Sequence, residues 1–266
     1  MKRGSREQLS FDDFRRRTGR GGPRSGAGRP AGARPRVRHR PRADFSGTCP
    51  AHVTIRLRRG LPSLRSRKLV REFRRSLAVA CERSEFRVLH FSLQRDHAHF
   101  LVEADGTESL ARGMKSIAAR LARAVNRVFE RVGKVLDGRY HLHLLRTPRE
   151  VRHALAYVLL NARRHWAKRF GTAPPVRIDE ASSGRWFRGW SRDVPGADVR
   201  GSPDVASART WLARSGWRLH GLIDPGGVPG PGEGRARSWL GRDRAELGNR
   251  TIGRRARGPI EGSRTP

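Results

Sequence analysis

FRVLHFSLQRDHAHFLVEA, residues 86–104, contains two apolar-rich runs separated by a short polar break. FRVLHFSL (86–93) and HAHFLVEA (97–104) have the length and the aromatic and β-branched content of strands, and Gln94-Arg95-Asp96 is short enough to be a hairpin turn. In the second run Ala98, Phe100 and Val102 alternate with His97 and His99. A strand repeats every two residues, so the apolar three share one face and both imidazoles leave by the other. The pair therefore reads as an antiparallel hairpin with an apolar core face and a histidine-bearing face.

The flanking sequence extends this hairpin into a domain. Upstream, HVTIRL (52–57) alternates Val53, Ile55 and Leu57 with His52, Thr54 and Arg56, as a half-buried strand does. From Ser66 to about Arg83, Val70, Phe73, Leu77 and Cys81 recur at helical spacing. Downstream, Leu110, Met114, Ile117, Leu121, Val125 and Val128 mark a long amphipathic helix from Glu108 to about Val132. A loop with Gly133 and Gly138 leads to RYHLHLL (139–145), expected as an edge strand. Thr147-Pro148 is a favoured helix opening, an N-cap threonine before proline at the first helical position, and one helix is expected from there to about Phe170-Gly171. The order β-α-β-β-α-β-α predicts an α+β fold over residues 47–170, a ferredoxin- or RRM-like sandwich with helices packed on an antiparallel sheet.

The remainder divides by composition. Residues 1–46 are rich in Arg, Gly and Pro, and residues 1–44 carry 14 basic and 4 acidic side chains, net +10. Such a segment buries too little apolar surface to offset its ordering entropy, so a disordered basic arm is expected. Residues 171–229 include PPVRIDEASSGRWFRGW (174–190) and ARTWLARSGWRLHGLI (208–223), aromatic-bearing pieces that either dock on the domain or form a small second one. Residues 230–266 have no periodicity and are expected to be a disordered tail.

Charge points to the partner. The chain of 266 residues has a formal net charge of +34 and a pI near 11.9, with lysine only at Lys2, Lys68, Lys115, Lys134 and Lys168. An excess of this size fits a polyanion, most simply nucleic acid. The two cysteines, Cys49 and Cys81, read as reduced thiols, since neither has a CxxC partner for zinc. No apolar run is long enough to span a membrane and the basic N-terminus lacks an apolar signal core, so a cytoplasmic, nucleoid-associated protein is expected.

Two constellations carry possible chemistry. His97 and His99, flanked by Asp96 and Glu103, could offer two neutral nitrogens to a divalent cation, or be ordinary histidines on a solvated strand face. Tyr157 and Asn161 stand at i and i+4 on the expected last helix, with His153 one turn before. The only other tyrosine is Tyr140. A phenol needs activation to act as a nucleophile, and packing or surface roles remain open for both residues. His141 and His143 repeat the HxH spacing on the edge strand, as surface or phosphate-contacting residues. Arg163, Arg164 and Lys168 follow Asn161 and suit phosphate contacts or a solvated basic face.

In combination, QRDHAHFLVEA, Arg139-Tyr140-His141 and Tyr157-Val158-Leu159-Leu160-Asn161 resemble the motifs of single-tyrosine HUH transposases, in particular the REP-associated tyrosine transposases. The likeness spans roughly residues 50–166. Asp96 stands where that family often has asparagine, Ala98 is a small residue at the hydrophobic position, and Ala162 replaces a frequent proline, letting the helix run on. The resemblance implies Mg²⁺ or Mn²⁺ held by His97, His99 and Asn161, and Tyr157 as the nucleophile that cuts and rejoins single-stranded DNA through a 5′-phosphotyrosine. It also implies a hairpin-forming DNA partner and a homodimer. The rival readings are a domesticated relative that binds nucleic acid without cutting, and an RRM-type module, which would need aromatics on an open sheet face.

Overall fold

The computed structural model describes residue 45 and residues 47–197 and 201–230. Apart from their end residues Phe45 and 230, the arm expected over 1–46 and the tail expected over 230–266 lie outside these. The elements are β1 (Ala51–Arg56), α1 (Arg67–Ala78), β2 (Glu82–Arg83), β3 (Phe86–Leu93), β4 (His97–Ala104), α2 (Thr107–Val128), β5 (His141–Leu144), α3 (Pro148–Leu159), α4 (Asn161–Phe170) and α5 (Trp211–Arg214), with short 3-10 turns at Gly184–Trp186 and Gly216–His220.

The sheet is antiparallel throughout, in the order β2-β3-β4-β1-β5. The central hairpin β3–β4 lies where the sequence puts it, and β5 takes the edge beside β1. This is the expected α+β sandwich, with the two-residue β2 added. β2 also explains why α1 ends at Ala78 rather than near Arg83: the chain must turn at 79–81 to pair Glu82 and Arg83 with β3. The α1 start follows its cap, Ser66 Oγ accepting from the Leu69 amide at 3.3 Å.

One sheet face forms the main core. Val53 and Ile55 of β1, with Ala98, Phe100 and Val102 of β4, meet Phe73 and Leu77 of α1 and Met114, Ile117 and Leu121 of α2. Helix α2 lies close on the sheet because residue 113 is glycine: a Cβ there would sit 2.2 Å from the Phe86 ring. In β3 the register shifts between Val88 and His90. That bulge lets Phe86 and Val88 on one side of it, and Phe91 and Leu93 on the other, all join this core.

The second face is covered as well. Leu89 and Leu101 pack with Val151, Leu155 and Leu159 of α3 and with Phe187, Trp217 and Ile223 from the C-terminal pieces. Polar ties hold these pieces down. Arg65 pairs with Asp179 at 2.7 Å, and Arg74 reaches Asp204 at 2.5 Å and the carbonyls of Glu180 and Ser182. The aromatic-bearing segments therefore dock on the sheet, and the histidine-bearing face is not solvated.

One expected element divides. The last helix breaks at Leu160, whose φ of −106° and ψ of 11° leave the helical region, so Tyr157 and Asn161 belong to consecutive helices rather than one. Neither proline nor glycine marks the break. Leu160 and Asn161 are both buried, and their packing sets it.

Candidate active site

Strand register assembles the polar cluster. Pairing of β1 with β4 puts Thr54 opposite His99 and Arg56 opposite His97, and pairing with β5 puts His143 opposite His52. His52, His97, His99, His141 and His143 thus project from one sheet face, beneath α3 and α4.

His99 sits at the centre, 4% exposed. Its Nδ1 lies 3.1 Å from His52 Nε2 and 3.1 Å from Thr54 Oγ1, while its Nε2 is buried without a hydrogen-bond partner. His97 is partly exposed, its ring 4.8 Å from that of His99, and its Nδ1 lies 2.8 Å from Asp96 Oδ1. From α3, the Tyr157 ring meets His99 edge-on at 5.1 Å and His52 at 5.8 Å. From α4, the Arg164 guanidinium stands over the Tyr157 ring at 5.4 Å with Nη1 3.4 Å from the phenol oxygen, and the His165 ring comes within 6.1 Å of His97.

Asn161, the first residue of α4, is fully buried, and neither its Oδ1 nor its Nδ2 has a hydrogen-bond partner. Asn161 and His165 are i and i+4 on α4, so the face that meets His97 is also the face of Asn161. A buried carboxamide and a buried imidazole nitrogen, both unpartnered, are costly to leave unsatisfied, and a ligand that engages them removes that cost. The donor set of two imidazoles and one carboxamide oxygen fits a divalent cation of the Mn²⁺ or Mg²⁺ kind. Among the described residues no three His, Cys, Asp or Glu side chains form a metal-binding group. Glu103 is one reason: its carboxylate accepts from the Arg209 and Thr210 amides and the Thr210 hydroxyl, at 2.7–2.9 Å, and so caps α5.

Arg163 is corrected by the structure. Expected as a phosphate contact, it is 6% exposed and donates to the carbonyls of Pro174, Pro175, Gly226 and Gly227 at 2.8–3.2 Å. Its charge ties α4 to two C-terminal loops and does not reach solvent. Lys168 is exposed, and Arg164 half-buried against Tyr157.

His52, Thr54 and His165 were not singled out by sequence. The alternation in HVTIRL already sets His52 and Thr54 on the polar side of β1; what is missing without the fold is the register that brings them to His99.

Burial fixes the charge state of this face. Desolvation pushes His52 down to about 3 and holds His99 well below the usual imidazole value, and it pushes His90, which bonds Ser183 Oγ at 3.1 Å, down to about 4. In the unfolded chain such groups titrate near 6.5, so the unfolded state binds more protons as pH falls through that value. Stability is therefore full above about pH 6.5 and declines towards pH 4. For His52 and His90 the loss at pH 5.5 is about 1.4 kcal/mol each. Urea midpoints in EDTA should fall between pH 7.5 and 5.5, above the carboxylate range; a midpoint that stays level would contradict this account.

An antiparallel α+β domain with an HUH strand beneath a tyrosine-bearing helix is the class that fold and site define. Residues 47–143 match the family model described as "Transposase IS200 like", and the domain belongs to that family. The match includes His97 and His99 and ends before the helix carrying Tyr157. Two solved structures are similar in part. "Structure of the REP associates tyrosine transposase bound to a REP hairpin" is 17% identical at a TM-score of 0.40, covering 50% of this chain and 77% of that one. "Bacterial tRNA(HIS) Guanylyltransferase (Thg1)-Like Protein in complex with GTP" is 12% identical at a TM-score of 0.34, covering 50% of this chain and 73% of that one. No curated protein sequence matches the chain. Among the described residues, no helix is long and apolar enough to cross a membrane.

Proposed function

We propose that this chain is a transposase-type endonuclease that cleaves and rejoins single-stranded, hairpin-forming DNA through a 5′-phosphotyrosine at Tyr157. The observation that carries the proposal is the placement of the Tyr157 ring against His99, with a guanidinium at its phenol oxygen and unpartnered buried donors beside it.

In this proposal His97, His99 and Asn161 hold a divalent cation, Mg²⁺ or Mn²⁺, which when bound polarises the scissile phosphate and offsets its developing charge. Tyr157 Oη attacks phosphorus and gives up its proton. The bond from phosphorus to the 3′-oxygen breaks, and that oxygen leaves as a 3′-hydroxyl after taking up a proton. A second 3′-hydroxyl reverses the step, so joining needs no external energy source. Arg164 puts a positive charge where the attacking oxygen becomes anionic. With Arg163 committed elsewhere, Arg164 and Lys168 are the proposed phosphate contacts of α4. A homodimer would supply two tyrosines for paired cuts, in the cytoplasm at the nucleoid.

The RRM alternative loses support from the covered sheet: bases cannot stack on a face occupied by α3, Phe187 and Trp217. The domesticated, non-cutting alternative is separated by experiment. Protein incubated with end-labelled single-stranded hairpin DNA and Mn²⁺ should yield an SDS-resistant adduct that EDTA prevents. DNA that binds without an adduct under any divalent cation would favour the non-cutting protein.

A further inference from the structure

We propose that His52 and Thr54 are positioning residues for His99, holding its hydrogen on Nδ1 so that Nε2 presents a lone pair to the cation site. This rests on the reading of His99 as a metal ligand.

A neutral imidazole has one N–H and one lone pair, and the partner of one nitrogen selects the state of the other. His99 Nε2 is the buried nitrogen without a partner, so it is the atom available to a ligand. A lone pair on Nε2 requires the hydrogen on Nδ1, and a buried N–H requires an acceptor. Nδ1 has two atoms within hydrogen-bonding distance, His52 Nε2 and Thr54 Oγ1, each at 3.1 Å. Both can accept. His52 remains neutral because it is buried, so its Nε2 keeps a lone pair for the purpose. In the opposite arrangement, with His52 Nε2–H or the Thr54 hydroxyl donating to Nδ1, the His99 hydrogen would sit on Nε2, buried, unpartnered and pointed at the cation.

The fold makes this a built arrangement. Thr54 lies directly opposite His99 in the β1–β4 register, and His52 lies two residues along on the same face, its ring 5.2 Å from that of His99. Tyr157 closes over both rings. His97 has a parallel arrangement in a more exposed setting, with Asp96 at its Nδ1. Ligating histidines are commonly oriented in this way through the nitrogen remote from the metal.

The test uses the full chain labelled with ¹⁵N-histidine and free of metal. Long-range ¹H–¹⁵N spectra should give His99 as the Nδ1–H tautomer. In His52→Phe/Thr54→Val, which keeps much of the packing and removes both acceptors, His99 should move to the Nε2–H form. Mn²⁺ affinity, followed by electron paramagnetic resonance, should drop about 10- to 100-fold. His52→Gln with Thr54 intact should retain the wild-type tautomer, because its side-chain oxygen can accept. Thr54→Val alone, nearly isosteric, keeps the test valid if the double variant misfolds, and should lower the Nδ1–H population. Wild-type His99 already in the Nε2–H form, or variants with unchanged tautomer and Mn²⁺ affinity, would overturn the inference. Nδ1–H that depends on His52 and Thr54 in a protein that binds no Mn²⁺ would leave the positioning intact and overturn the metal reading instead.

Discussion

Tyr157→Phe should abolish the covalent DNA adduct and strand cleavage together while leaving single-stranded DNA binding within about twofold, a margin of roughly 0.4 kcal/mol. The substitution removes one oxygen and keeps the ring that packs edge-on against His52 and His99. The lost contact is a single 3.4 Å approach from Arg164, so stability should change by no more than about 1 kcal/mol. Tyr140→Phe is the control. Tyr140 packs at the margin of the main core on the opposite side of the sheet, and the adduct should survive its loss. The check is denaturing electrophoresis of both variants after incubation with labelled hairpin DNA and Mn²⁺. An adduct that persists in Tyr157→Phe and vanishes in Tyr140→Phe would move the nucleophile without changing the enzyme class.

Much of this site could be read in the sequence because it depends on short-range periodicity. Two histidines separated by one residue share a strand face wherever the strand lies, and Ala98, Phe100 and Val102 between and after them identify the core side. The order of elements fixed the sandwich for the same reason. What depended on pairing between distant segments could not be read. His52 reaches His99 only through the β1–β4 register, and nothing local in HVTIRL names its partner. Glu103, adjacent to the histidines in sequence and on their face, is drawn away by Thr210, more than a hundred residues later. The break at Leu160 also had no local signal, since Leu160, Asn161 and Ala162 are all compatible with a helix. Burial of Leu160 and of the Asn161 carboxamide decides it, a tertiary override of helix propensity.

That break changes what the neighbouring arginines can do. Had α3 continued unbroken, Arg163 and Arg164 would have followed Asn161 along one exposed face. With the chain redirected at Leu160, Arg163 points into the C-terminal loops and Arg164 lies over Tyr157. Consecutive residues of one composition thus serve a structural tie and the candidate active site. Sequence treats them alike because net charge does not distinguish a buried guanidinium from a solvated one.

Arg163→Ala should therefore be a stability variant and leave DNA affinity nearly unchanged. The guanidinium is 6% exposed and makes four charge-assisted hydrogen bonds to the carbonyls of Pro174, Pro175, Gly226 and Gly227. Removing it leaves those acceptors unpaired and a cavity behind α4, for a loss of about 3–5 kcal/mol. Other ties limit the damage to this corner, since Arg152 still holds the carbonyls of Gly221 and Leu222 and Ile223 stays buried. In a folded unit of this size that loss should lower Tm by roughly 6–20 °C. Arg163→Lys keeps the charge but cannot span four acceptors, and should fall between the two. Lys168→Ala should behave in the opposite way, with an unchanged Tm and a salt dependence of DNA binding reduced by about one phosphate contact. Melting curves and DNA titrations over a salt series separate the two roles. An Arg163→Ala protein with wild-type Tm and a reduced salt slope would return Arg163 to the DNA interface and remove it from the fold.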